Sequence, residues 1–171
     1  MNYARKCDTI FTNYYWSTNS NNLFLRFITM DKGGIKMNSV KETAYQLFIE
    51  QDNSCAEAVL KGACQLYELP LSEDLIKVIG SFAGGCGVGD LCGACAGGLA
   101  AIGLKYGNGC LHKCEEQREK MKAFMNEFST MFHSTDCEKI KAEFRKEDVR
   151  CLEVVEKTLG LIGLIFDQKI E

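Results

Sequence analysis

The sequence predicts an all-α fold, an antiparallel helical bundle of about five to seven helices with a Gly-rich loop and a Gly/Ala-rich central helix. Three observations predict it. Apolar residues recur at three- and four-residue intervals, capping residues head most apolar runs, and no alternating stretch is closed by a hairpin turn.

The elements follow in order from Met37. Asn38 or Ser39 can cap a first helix to about Gln51, with Val40, Ala44, Leu47 and Phe48 on one side. Asp52-Asn53-Ser54 stops it and caps a second, Cys55 to about Tyr67, closed by Leu69-Pro70. Ser72, with Glu73 and Asp74 in the first turn, opens a third helix to about Ala83. Gly84-Gly85-Cys86-Gly87-Val88-Gly89 then demands a backbone free to take positive φ. Asp90 can cap a helix from Leu91 to Tyr106, which Gly107-Asn108-Gly109 ends. From about Lys113 to Phe132 the stripe Met121, Phe124, Met125, Phe128, Phe132 reads as core. Ser134-Thr135-Asp136 caps a short helix to about Phe144, and Asp148 starts a last one carrying Val149, Leu152, Val155, Leu159, Ile162 and Ile165.

Residues 1–36 differ from this domain, which spans 37–171. The run from Thr12 to Asn22 is rich in Asn, Ser and Tyr, has no periodicity and contains the single Trp. Lys32-Gly33-Gly34-Ile35-Lys36-Met37 is the peptide that a purine-rich bacterial ribosome-binding site and start codon would encode if translated. Met37 is therefore expected to be the true start and 1–36 a translated leader, which N-terminal sequencing of natively expressed protein would check.

A net charge of −3 and a pI near 5.5 exclude a phosphate-binding face for nucleic acid. Val78 to Leu104 carries Asp90 alone as a charge but nine glycines, and its uncharged part is too short to span a bilayer. No secretory signal opens the chain, so a cytoplasmic location with reduced thiols is expected. Ten cysteines in such a setting point to metal or redox work, with a share of them plain packing.

Four cysteines fall on predicted helix starts. Cys55 follows Ser54, Cys92 follows Asp90 by two, Cys137 follows Asp136, and Cys151 follows Asp148 by three. Unpaired N–H groups and the positive end of the helix dipole favour thiolate there. Four helix starts converging at one end of a bundle could hold an iron–sulfur cluster or a zinc ion.

Ser54-Cys55-Ala56-Glu57-Ala58-Val59, the stretch Phe82 to Ala94, Gly97-Gly98, the stretch Ile102 to Gly107, Ser134-Thr135-Asp136-Cys137 and Arg150-Cys151 together resemble the C-GCAxxG-C-C family, over about residues 40–165. The resemblance implies a redox-active protein of anaerobic bacteria, related to part of the split-Soret cytochromes, for which a non-haem iron–sulfur site is proposed. It carries the family's cysteines onto Cys55, Cys92, Cys137 and Cys151. The central element departs from the family label, reading Cys92-Gly93-Ala94 with the pair before Ala94 reversed. Haem is excluded, because Cys95 is followed by Ala96 and no C-x-x-C-H exists.

The expected function is redox chemistry or electron transfer through these four cysteines, by a cluster or by reactive thiols, with a redox protein or small-molecule acceptor as partner. Two alternatives stay open. One is a thiol–disulfide oxidoreductase with Cys92 and Cys55, or Cys92 and Cys95, as catalytic thiols. The other is a zinc-stabilised interaction module; its C-x2-C-x14-C-x3-C variant on Cys92, Cys95, Cys110 and Cys114 is disfavoured by the apolar helix between the two pairs. No G-x-G-x-x-G or Gly-Lys-Ser/Thr provides a nucleotide site. Gly93, Gly97 and Ala101 line one smooth helix face suited to another helix or a second copy, so a homodimer is compatible with the pattern. Whether Cys86 or Cys95 joins the site is left open by the sequence.

Overall fold

The structure, a computed structural model, describes residues 37–167, so the leader expected at 1–36 lies outside the described residues. Seven α-helices make up the described part, and no named strand occurs among those residues. Helix α1 is Met37–Tyr45 and runs directly into a π-helical turn, Gln46–Glu50. Then follow α2 (Cys55–Leu66), α3 (Glu73–Gly80), α4 (Gly93–Tyr106), α5 (Glu115–Phe132), α6 (Cys137–Phe144) and α7 (Leu152–Asp167). No described helix is long and apolar enough to cross a membrane.

Capping explains several boundaries. Ser54 and Glu57 form a reciprocal capping box at α2, Ser72 accepts from the Leu75 N–H at α3, and Asp136 accepts from the Lys139 N–H at α6. Two predicted starts move. Asp90 does not cap α4; its carbonyl accepts the Cys137 N–H instead, and Cys92 becomes the N-cap. The last helix begins at Leu152 rather than Asp148, because Lys146 and Arg150 pair in a small antiparallel bridge that uses their backbone before α7 starts. The Cys151 carbonyl accepts the first helical N–H groups, from Val154 and Val155, which places Cys151 at the head of α7.

The core is built on α2, α4, α5 and α7. The stripe read from the sequence is buried, with Phe124, Phe128 and Phe132 at 0 to 1% exposure and successive rings 5.8 and 4.6 Å apart. Helices α2, α4 and α7 all start at one end of the bundle. At the other end Tyr67 and Tyr106, closing α2 and α4, both stack edge-on to Phe166 near the end of α7. Helix α5 runs the opposite way: Cys114 before it donates to the Tyr106 carbonyl, and Phe132 at its end meets Phe144 of α6.

The smooth face of α4 meets α2 within the chain. A Cβ at Gly97 would lie 2.6 Å from the Ala56 carbonyl oxygen and 3.0 Å from Val59 Cβ, so only glycine permits this approach. Gly93 is also close, though less so, its added Cβ falling 3.2 Å from the Ala56 nitrogen. Gly97→Ala is accordingly expected to lower unfolding free energy by about 1–3 kcal/mol, the usual cost of overpacking. Denaturant titration checks it; an unchanged midpoint would show that the two helices can part at no cost.

Candidate functional site

Three local devices gather the four cysteines at the end where α2, α4 and α7 begin. The first is the α2–α4 contact at Gly93, which sets Cys92 beside the head of α2, where Cys55 is the first helical residue. The second is a backbone bridge between Leu91 and Asp136, in which the Cys92 N–H donates to the Thr135 carbonyl at 2.8 Å and the Cys137 N–H donates to the Asp90 carbonyl. That bridge holds Cys92 alongside Cys137. The third device is Arg150. Its guanidinium donates to the Phe48 carbonyl, pairs with Asp52 Oδ1 at 3.0 Å and lies 4.3 Å from the Phe48 ring centre, tying the residue before Cys151 to the segment that precedes Cys55.

The Gly-rich loop closes over this end. Gly85, at φ 69°, packs so tightly on α6 that an added Cβ would lie 2.6 Å from Cys137 Cβ. Positive φ and close approach together demand glycine here.

Each of the four sulfurs lies within electrostatic reach of the other three. Cys92, Cys137 and Cys151 are buried at 4, 8 and 9% exposure, and Cys55 is half-buried. Of the four thiols, Cys55 and Cys151 influence each other's acidity most. The Cys55 thiol donates, which pushes its own pKa up and, with help from Arg145, Lys141 and Arg150, pulls Cys151 down to about 7 against the desolvation that opposes it. Burial pushes Cys92 up, although the N–H groups of Cys95 and Ala94 partly offset it. Burial likewise raises Cys137, with Lys141 opposing. The expectation that all four helix starts favour thiolate is therefore corrected: in the metal-free chain the Cys151 interaction and then burial raise Cys55, burial raises Cys92 and Cys137, and only Cys151 is lowered.

The remaining cysteines are placed elsewhere or turned to other partners. Cys95 is fully buried, its Sγ 3.5 Å from Met125 Sδ, and its thiol is pushed up to about 12 chiefly by burial. Cys114 bonds the Tyr106 carbonyl at the far end of α4, and Cys110 beside it is exposed, so the Cys92-Cys95-Cys110-Cys114 zinc set does not assemble. Cys86 is exposed on the Gly-rich loop at φ 58°. Arg150 entered the sequence reading only as the residue before Cys151, with no role of its own. Its left-handed φ of 52° is invisible in sequence, and its two partner residues, Phe48 and Asp52, lie about a hundred positions upstream.

The donor set can be tested for the groups it would suit. Four sulfurs bound to one zinc at about 2.3 Å would lie roughly 3.8 Å apart. Among the described residues no group of three or more His, Cys, Asp or Glu side chains is gathered tightly enough to hold a single metal ion.

A family model described as "Putative redox-active protein (C_GCAxxG_C_C)" matches residues 53–165. No curated protein and no solved structure shows significant similarity to the chain. The match covers more than half of the 171 residues and runs through Cys55, Cys92, Cys137 and Cys151, so the chain belongs to the C_GCAxxG_C_C family of redox-active proteins.

Proposed function

We propose that the protein is a one-electron carrier or reductive component whose working centre is an iron–sulfur cluster held by Cys55, Cys92, Cys137 and Cys151. What supports this reading is that four separate helix starts bring four cysteines to one end of the bundle, within through-space electrostatic range of one another. When bound, the cluster supplies reversible one-electron chemistry that no side chain here offers.

The chain's own residues would do the rest. The four thiols would ligate as thiolates, the charge being offset by Lys141, Arg145, Arg150 and the N–H groups that open α2, α4, α6 and α7. Burial of three of the four sulfurs and the Gly85 contact over Cys137 would limit water at the centre. The partner would be a redox protein or a small-molecule acceptor, reached from the end of the bundle where Cys55 is partly exposed.

Anaerobic reconstitution with ferrous iron and sulfide is expected to give a brown protein with visible charge-transfer absorbance and tightly held iron. Colourless protein that takes up one zinc in place of iron would favour the interaction module, and colourless metal-free protein would overturn the cluster reading.

A further inference from the structure

We propose that Arg150 is a positioning residue of the four-cysteine centre: it couples the head of α7, where Cys151 lies, to the turn that precedes Cys55 at the head of α2, so that the two heads keep one spacing. The inference rests on the centre proposed above and concerns how its residues are held, not which cofactor they hold.

The coupling starts from a backbone obligation. Where α1 and its π-helical turn end, the last carbonyls have no partner further along the helix and must find one elsewhere. Two are taken locally. The Gln51 N–H donates to the Gln46 carbonyl at 3.0 Å, and Asn53 brings its backbone N–H, at 3.2 Å, and its side-chain amide, at 2.8 Å, to the Leu47 carbonyl. The Phe48 carbonyl is taken by the Arg150 guanidinium, from 102 positions along the chain. Phe48 is buried, and a buried carbonyl left without a donor is costly, so the end of this turn depends on a residue of the α7 head.

The rest of the grip points the same way. The guanidinium stacks on the Phe48 ring at 4.3 Å and pairs with Asp52 at 3.0 Å. The Asp52 side chain is largely exposed, so the ion pair contributes little and the carbonyl bond with the stacking is the stronger part. Both joined residues are left-handed, Asp52 at φ 53° and Arg150 at φ 52°. A non-glycine residue keeps that conformation only where its surroundings over-determine it, and here each corner braces the other. Each corner also hands its position on to a helix. Lys61 of α2 donates to the Asn53 side-chain oxygen and Ser54 caps α2, so the turn and the helix carrying Cys55 move together. On the other side the Cys151 carbonyl accepts the Val154 and Val155 N–H groups, so a shift at Arg150 passes into the first turn of α7. A cation that served only to offset charge at the centre would need none of these contacts.

The test reads amide hydrogen exchange on the full, reduced, metal-free chain. Arg150→Ala is expected to speed exchange about tenfold in two windows, 46–55 and 150–155, while 120–132 of α5 keep the native rate. Faster exchange in 150–155 alone would show that Arg150 closes only its own turn, and faster exchange throughout would show a general loss of stability; either overturns the coupling, as does no change. After anaerobic reconstitution with ferrous iron and sulfide the same variant is expected to hold iron about tenfold more weakly, the effect of losing a group that orients ligands without touching the metal. Native iron retention with both windows loosened overturns the role at the centre. Arg150→Lys keeps the charge without the forked, stacked grip and is expected to behave as Arg150→Ala in both readouts; native behaviour would show that charge alone suffices and overturn positioning. Should Arg150→Ala fail to fold, Arg150→Lys, judged against unchanged circular dichroism, decides the point. Exchange is read without metal, so a native chain that takes up no iron overturns only the cofactor reading, and a cluster with unchanged exchange in the variants overturns only this one.

Discussion

Serine in place of any one of Cys55, Cys92, Cys137 or Cys151 is expected to cut iron retained after anaerobic reconstitution by at least about tenfold, since a hydroxyl is a hard, weakly acidic donor where a soft thiolate is required. Serine at Cys64, Cys86 or Cys110 is expected to leave iron content at the native level. The controls include a buried and two exposed cysteines, so neither burial nor exposure alone would reproduce the pattern. The four positions should also act as a unit: the double variant Cys55→Ser with Cys151→Ser should lose little more iron than either single one, because the first substitution already opens the coordination shell. Inductively coupled plasma analysis against protein concentration provides the measurement. Four single variants that all keep native iron would place the cluster elsewhere or nowhere.

The second large effect concerns acidity in the metal-free chain. With its pKa held at about 7 against an ordinary thiol value of 9.0, Cys151 is expected to be about half thiolate at neutral pH, where an unperturbed thiol would be about 1% ionised. The Cys55 hydrogen bond is the largest cause and the cations Arg145, Lys141 and Arg150 the next in the same direction. Ultraviolet thiolate absorbance followed against pH should thus show a single-cysteine step centred near 7 that vanishes in Cys151→Ser. In Cys55→Ser the donor changes and the step should move upward. The linked effect on stability has a definite sign. A depressed thiol pKa contributes stability in full above about pH 9; this contribution shrinks as pH falls from about 9 toward 7 and is absent below. Cys55, Cys92 and Cys137 are shifted the other way, so as pH rises toward the ordinary thiol value their contribution opposes that of Cys151. A titration without a step below pH 8 would show that Cys151 is not the acidified thiol.

Particular residues show which parts of this molecule were legible in its sequence. Ser54, Ser72 and Asp136 announced three helix starts because a side-chain cap satisfies N–H groups within three residues, a local bargain that tertiary structure leaves alone. The phenylalanine stripe of α5 was legible for the same reason: helical spacing is local, and burial against any partner preserves it. Asp90 and Asp148 misled because their neighbourhoods made backbone bridges, a distant one between Leu91 and Asp136 and a local one between Lys146 and Arg150, and a competing backbone partner overrides a side-chain cap.

By itself, then, the sequence determined the helical class, most helix starts and the presence of cysteines at those starts, all of which depend on neighbours a few positions apart. Only the tertiary structure decided that α2, α4 and α7 begin at one end, that Arg150 ties the residue before Cys151 to the segment preceding Cys55, and which sulfur is acidic. The physical reason is distance along the chain. Cysteines tens of residues apart share no local rule, and an acidity is set by whatever charge, donor and depth of burial the completed fold delivers to one atom.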